Sequence, residues 1–178
     1  MSGAACSLRP YAAEDEDAAV ALWLKTWQAA YPELDFAERL SWWRARWRDE
    51  LTPSAEIVIA EAQYVKQEQD GKQDTGNAVM IGFVTVDRRT LYLDQLVVTP
   101  ERWGSGVGTA LLAAAKRISP QGLDLDVNTD NARAIRFYTK EKFIITGAGK
   151  NPISGRPIHR MSWRPAADSV ASSMRTTT

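Results

Sequence analysis

Apolar positions at Val20, Trp23, Leu24, Trp27 and Tyr31 recur at the spacing of one helix face, which predicts a helix over 14–31 that Pro32 ends. The acidic run Glu14, Asp15, Glu16, Asp17 lies where a helix N-terminus favours negative charge. A second helix follows over 35–51, with Asp35 and Glu38 patterned as a capping box. Its face carries Phe36, Leu40, Trp43, Trp47 and Leu51, and Pro53 marks the exit. Residues 56–62 and 79–86 read as strands, the second apolar enough to be buried on both faces. The polar stretch 63–78 between them reads as a long, mobile hairpin connection.

A third strand, 91–98, is irregular. Leu91 and Leu93 share one parity, whereas Leu96 and Val98 share the other. In a regular strand those pairs face opposite ways. One extra residue near Asp94 and Gln95 restores a single apolar face, which predicts a β-bulge there; the alternative is a strand buried on both sides. Residues 101–119 form a helix with Val107, Ala110, Leu111, Ala114 and Ile118 on one face, ended before Pro120. Leu123, Leu125 and Val127 alternate along a strand over 122–128. A helix over 130–142 places Ala134, Ile135 and Tyr138 together, and strands at 143–149 and 156–163 close the pattern. The expected domain spans 7–163, with tails at 1–6 and 164–178, the latter disordered.

Three consecutive strands suggest antiparallel pairing, whereas strand, helix, strand across 91–127 requires a parallel crossover. The expected fold is a single α/β domain of the α+β type: a mixed, mostly antiparallel sheet with helices on both faces. A length of 178 residues suits one domain. Twenty-two basic and 22 acidic residues cancel, which argues against a general nucleic-acid binder. No apolar run is long enough to span a membrane, and the first ten residues lack the apolar core of a signal peptide, so the expected setting is cytoplasmic. Cys6 is the sole cysteine and His159 the sole histidine, so no metal is expected and His-dependent triads are disfavoured. His159 itself reads as a packed or exposed strand residue.

The strongest chemical signal is Gly104, Ser105, Gly106, Val107, Gly108, Thr109 between a strand and a helix. Glycines let the chain turn tightly and let a ligand approach the main chain. The free N–H groups of a first helical turn favour a phosphate; the alternative is a tight turn with glycines for packing alone. No Lys follows as in a P-loop, and G-x-G-x-x-G fails from either Gly104 or Gly106.

The segments LDQLVVTPERWGSGVGTALL (93–112) and NARAIRFYTKEKF (131–143) resemble the GNAT superfamily of acyl-CoA-dependent N-acyltransferases. That family's pyrophosphate motif, Gln/Arg-x-x-Gly-x-Gly/Ala, aligns with Trp103, Gly104, Ser105, Gly106, Val107, Gly108. Both small positions match, and Trp103 departs from Gln or Arg, with Arg102 adjacent. Asn131, Ala134, Phe137 and Tyr138 resemble the family's Asn-x-x-Ala-x-x-Phe-Tyr pattern. The resemblance implies acetyl-CoA or another acyl-CoA as co-substrate and a splay between strands 91–98 and 122–128 that admits pantetheine. Backbone groups of Leu96, Val97 and Val98 would pair with it as an added strand would. Amides from Gly104 to Thr109 would hold the pyrophosphate, helped by the Ser105 or Thr109 hydroxyls. Asn131 would hydrogen-bond the pantetheine or cap its helix. Arg102, Arg133 and Arg136 would meet the phosphates or stand solvated.

Acyl transfer to an amine needs a neutral nucleophile, an oxyanion donor and a proton for the leaving thiolate. Tyr138 matches the family's general acid, the alternative being a core tyrosine. Asp94, at the expected bulge, is the leading base candidate, or else a solvated acid. The oxyanion donor is expected to be the N–H of Val97 or Val98. Asp124 and Asp126 share a strand face and could hold a cationic acceptor, or form a wet sheet face. Tyr31 and Trp42 belong to the helices that roof the acceptor site in this fold. The expected activity is acetyl transfer to a primary amine of a small molecule by direct attack, with no nucleic-acid or membrane partner; a homodimer is open by analogy. Two rivals remain: a non-catalytic acyl-CoA-binding module and a nucleotide-binding oxidoreductase.

Overall fold

The computed structural model describes residues 6–67 and 73–166. Seven strands form one sheet: β1 (Cys6–Pro10), β2 (Glu56–Gln67), β3 (Gln73–Asp87), β4 (Tyr92–Val98), β5 (Leu123–Asn128), β6 (Ile144–Lys150) and β7 (Pro157–Trp163), in the order β1-β2-β3-β4-β5-β7-β6. Every neighbouring pair is antiparallel except β4–β5, the crossover pair. Helices α4 (Val107–Ile118) and α5 (Ala132–Lys140) cover one face, where Leu111, Leu112, Leu123, Leu125, Tyr138 and Phe143 pack together. On the other lie α1 (Glu16–Ala30), α2 (Leu40–Arg46) and the short α3 (Thr52–Ser54), whose core holds Trp23, Trp43, Trp47, Ile59 and Phe83. The mixed sheet with helices on both faces is the one the hydrophobic pattern predicts.

The bulge sits where side-chain parity breaks. Thr85 pairs with Gln95 and Val86 with Leu93, so Asp94 is the inserted residue. Leu93, Leu96 and Val98 consequently all pack on the α4/α5 side, and Val97 on the α1/α2 side. The extra residue is the device that gives one strand a single apolar face despite the odd spacing.

Four expectations need correction. The polar stretch 63–78 is largely strand: Val65, Lys66 and Gln67 pair with Thr75, Asp74 and Gln73, while 68–72 lie outside the described residues. Ladder bonds join backbone groups and do not require apolar side chains. The second helix is not one regular element but a 3-10 turn (Ala37–Arg39), α2, a π turn (Trp47–Leu51) and α3. Asp35 makes no capping box; its Oδ1 accepts from Ala37 N–H at 2.8 Å, a tight local turn before the helix. Cys6, assigned to a tail, pairs with Ala62 in β1, and the disorder expected at the C-terminus falls mainly on 167–178, outside the described residues.

Candidate active site

β4 and β5 touch at one point only. Tyr92 pairs with Asp124, whose N–H donates to Leu91 C=O at 2.8 Å; beyond that no β4–β5 pairing occurs among the described residues. The strands part from there, leaving one edge of β4 open. Which of its groups face the gap follows from the ladder with β3. Thr99 N–H donates to Ile81 C=O at 2.9 Å, which makes that pair a hydrogen-bonded one. Antiparallel pairs alternate, so Val97 turns its N–H and C=O to Phe83, whereas Leu96 and Val98 turn theirs to the gap. The Val97 amide expected as an oxyanion donor is therefore committed to β3.

The gap leads to the glycine turn. Gly104 and Gly106 adopt φ of 78° and 93°, and a Cβ on either would meet no protein atom within 4 Å. The space over their Cα atoms is open, as a cradle for a bound group requires. The first bond of α4 runs from Ala110 N–H to Gly106 C=O at 3.0 Å, so the amides of Val107, Gly108 and Thr109 have no intrahelical acceptor. Ser105 is different: its N–H donates to Arg102 C=O at 3.2 Å and its hydroxyl to the same oxygen at 2.7 Å. The Thr109 hydroxyl donates to Glu141 at 3.1 Å. Neither hydroxyl proton is free for an anion, so the cradle is main-chain. Phe137 underlies it, its ring 3.5 Å from where a Gly108 Cβ would stand. These residues fit a diphosphate.

Trp103 lies across the gap. Its indole N–H donates to Val98 C=O at 2.8 Å, and the Arg133 guanidinium stacks 3.4 Å from the ring centroid. Burial lowers the pKa of Arg133 from its ordinary value. Among the described residues no side-chain contact ties Arg102 or Arg136 to the cradle; Arg102 meets it through its carbonyl alone.

Along the gap lies a cavity of about 370 Å³, lined from β4 by Tyr92 and by Asp94 to Leu96, and from β5 by Asp126 to Asn128. Tyr31, Trp42, Asp94, Leu96, Asp126, Asn131, Ala134 and Tyr138 all line it, so eight of the residues singled out from the sequence converge there. Asp124 does not: Arg164 binds both its oxygens at 2.9 Å and holds its carboxyl below the usual range. The partner lies 40 positions away, beyond the reach of local pattern. Asn131 is the cap of α5, its Oδ1 accepting from Ala134 N–H at 3.1 Å, so only its amide nitrogen remains for a ligand.

Tyr138 is buried, and desolvation pushes its phenol above the ordinary tyrosine value. Tyr92, which the sequence reading passed over, stands close enough to add to that shift. Its own hydroxyl donates to Asp126 at 3.4 Å, and burial raises it too. Its parity, opposite to Leu93, was the available signal. Asp94 is not a free base. Both its oxygens accept from Arg46, at 3.0 and 2.5 Å, and one also accepts from Gln95 at 2.8 Å. Arg46 comes from α2, and nothing local announced the pair.

The roof is aromatic and pinned. Trp23 and Trp43 stack at 4.4 Å, and Trp27 stacks on Tyr31 at 5.8 Å. Glu16 on α1 joins Arg44 at 2.9 Å and Arg48 at 2.7 Å, which fixes α1 to the α2–α3 segment. The Tyr31 hydroxyl accepts from Asn128 at 3.0 Å and donates to Asp130 at 3.2 Å. Arg156, from the β6–β7 turn, lies 4.7 Å over the Tyr31 ring. Tyr31 is thus a wall residue whose hydroxyl is engaged. Trp42 is 38% exposed, with Arg46 5.9 Å over its ring. Among the described residues no helix is long and apolar enough to cross a membrane.

Residues 16–143 match the family model for the Acetyltransferase (GNAT) family. The chain is 27% identical over 151 residues to the peptidyl-lysine N-acetyltransferase YjaB of Escherichia coli K12, covering 85% of this chain and 90% of that protein. Its fold is similar to that of a GCN5-related N-acetyltransferase from Rhodopseudomonas palustris, with TM-score 0.67, 22% identity and coverage of 93% and 99%. The PaiA N-acetyltransferase of Thermoplasma acidophilum, solved in complex with coenzyme A, gives TM-score 0.63 at 17% identity, covering 90% and 99%.

Proposed function

Because the chain belongs to the Acetyltransferase (GNAT) family and is an N-acetyltransferase, we propose that it moves the acetyl group of acetyl-CoA to a primary amine of a small molecule by direct attack. The observation that carries this is the meeting of three features at one place: the open edge of β4, the buried Tyr138 and the roofed cavity. The amides of Gly106 to Thr109 hold the diphosphate. The Leu96 and Val98 backbone groups pair with the pantetheine amides, at Val98 C=O in competition with the Trp103 indole and the Thr26 hydroxyl, which both donate to it.

The thioester carbonyl then lies by the bulge, where an open-side N–H of β4, that of Leu96 or Val98, faces the developing oxyanion. A preformed amide does this without reorganisation. The amine must be neutral to attack, and a free alkylamine is mostly charged at pH 7. Arg39, Arg46 and Arg156 on the cavity wall disfavour an ammonium ion there, so binding itself favours the reactive form. Asp94, held by Arg46, is a positioning carboxylate, and the proton lost by the nitrogen passes to water in the cavity. Tyr138 donates its proton to the departing thiolate. Burial keeps the phenol protonated through the working range, so the proton is present when the thiolate leaves, and it also makes the phenol a weaker acid than an exposed tyrosine.

A cavity of this size, roofed by α1 and α2 and flanked by the β6–β7 turn, is matched to a compact molecule. The name of the E. coli relative favours a second reading, a lysine side chain of a protein. Following free CoA release with a panel of small amines against lysine-containing peptides separates the two. Turnover confined to peptides would overturn the small-molecule reading. Acetyl-CoA should also raise the melting temperature where NAD(P) does not.

A further inference from the structure

The charges on the cavity wall do not cancel. Of its two carboxylates, Asp94 is bound by Arg46, and Asp126 accepts from Tyr92 at 3.4 Å and from Arg160 at 3.3 Å. Of its three guanidinium groups, Arg46 has Asp94, and Arg156 has Asp130 at 3.2 Å and Glu33 at 3.3 Å. Arg39 is the remainder. Among the described residues it has no carboxylate partner, and its guanidinium lies 5.7 Å over the ring of Phe36, itself part of the wall. No unengaged carboxylate awaits a second ammonium group, whereas one cation awaits an anion.

Three further donors stand idle in the same wall: the indole N–H groups of Trp23 and Trp43, and Arg156 Nη1, which has Asp130 as an ion-pair neighbour but no hydrogen-bond partner among the described residues. Trp23 and Trp43 are 4% and 1% exposed, and each buries its indole N–H without a hydrogen-bond partner. An unpaired buried donor is unfavourable until an acceptor reaches it. Around these donors the wall is aromatic: Trp23 stacks on Trp43 and meets Phe36 edge-on and Trp27 at a tilt, and Trp27 in turn meets Phe36. Such a surface favours a planar apolar body, which gains both buried area and ring contacts.

We infer that the acceptor is an aromatic amino-carboxylate: a primary amine on a flat apolar body that also carries a carboxylate, which Arg39 binds. This rests on the small-molecule reading above and narrows it. A linear polyamine or a bare lysine side chain would leave Arg39 and both indole donors unused and would bring no ring to the aromatic wall.

The test measures kcat/KM by CoA release for phenylalanine, tryptophan and 4-(aminomethyl)benzoate. Each is set beside its decarboxylated twin (phenethylamine, tryptamine and benzylamine), with cadaverine and a lysine peptide as outgroups. At least one acid should exceed its twin about tenfold or more, the range expected of a charge-assisted hydrogen bond. Arg39→Gln should bring that ratio close to one through KM rather than kcat, and Arg39→Lys should restore part of it; an unchanged acetyl-CoA melting shift confirms that both variants are folded. Equal use of acids and twins, preference for cadaverine or the peptide, or no turnover of any acid would overturn the inference. A protein that acetylates benzylamine but ignores the carboxylate would leave the small-molecule reading standing, whereas one that acetylates only the peptide would remove both.

Discussion

The indole N–H of Trp103 donates to the backbone carbonyl of Val98 at 2.8 Å, on the side of β4 that faces the gap. Under the proposed function a pantetheine amide pairs with this carbonyl, so the two donors would compete. Trp103→Phe keeps a ring for Arg133 to stack on and removes the competing N–H. The Kd for acetyl-CoA, by calorimetry, should fall by about three- to tenfold, the range of one net hydrogen bond. A weaker complex would show that the indole supports the ligand instead.

Tyr138→Phe removes the proposed proton donor and leaves the ring packed against Phe143. On any accepted amine kcat should fall about a hundredfold or more while the Kd for acetyl-CoA stays nearly constant. An unchanged kcat would take the general-acid role from Tyr138.

Burial raises the phenols of both Tyr92 and Tyr138, with desolvation the leading cause. A phenol whose pKa is higher folded than unfolded holds its proton more tightly in the native state. The stability it contributes is therefore complete below about pH 10, the unfolded value, and is lost as pH rises beyond it. Urea midpoints between about pH 9 and 12 should fall for the wild type and fall less steeply in Tyr92→Phe and Tyr138→Phe.

The two glycine roles should separate. Gly106→Ala meets no protein atom but forces a side chain onto φ of 93°, so it should cost roughly 1–2 kcal/mol of stability and weaken CoA binding at least tenfold. Gly82→Ala places a Cβ 2.8 Å from Val97 C=O and 2.9 Å from Leu111, where α4 crosses the sheet. That change should lower stability by about 2 kcal/mol or more through overpacking. Denaturation and CoA titration of both variants would show whether turn and packing are distinct.

Asp94→Asn leaves the half-buried Arg46 with Glu50, 3.1 Å away, as its remaining carboxylate, and stability should drop by about 1 kcal/mol. If Asp94 only positions, the acid limb of kcat/KM keeps its midpoint in this variant. Disappearance of that limb would make Asp94 the base.

Periodicity was enough for the order of elements, because whether a residue faces the core of a helix or a strand depends on neighbours within a few positions. The same local logic located the bulge: the parity break between Leu93 and Leu96 has one economical remedy, an inserted residue, and Asp94 is it. The glycine turn was legible too, since left-handed backbone at Gly104 and Gly106 is a property of residue type. Partnerships are another matter. Asp94 and Asp124 looked alike as acids on strands, yet one faces Arg46 in the cavity and the other Arg164 outside it. Ser105 and Thr109 looked like anion donors until Arg102 C=O and Glu141 claimed their protons. Trp103 acquired its meaning from Val98 and Arg133, and Arg39 from the pairing of every other charge around it. The chain alone determined which groups exist and which face of its element each one takes, because those are short-range steric facts. Which of them remain free to do chemistry was decided by tertiary structure, because hydrogen bonds and ion pairs are settled by distances of a few ångströms between residues tens of positions apart.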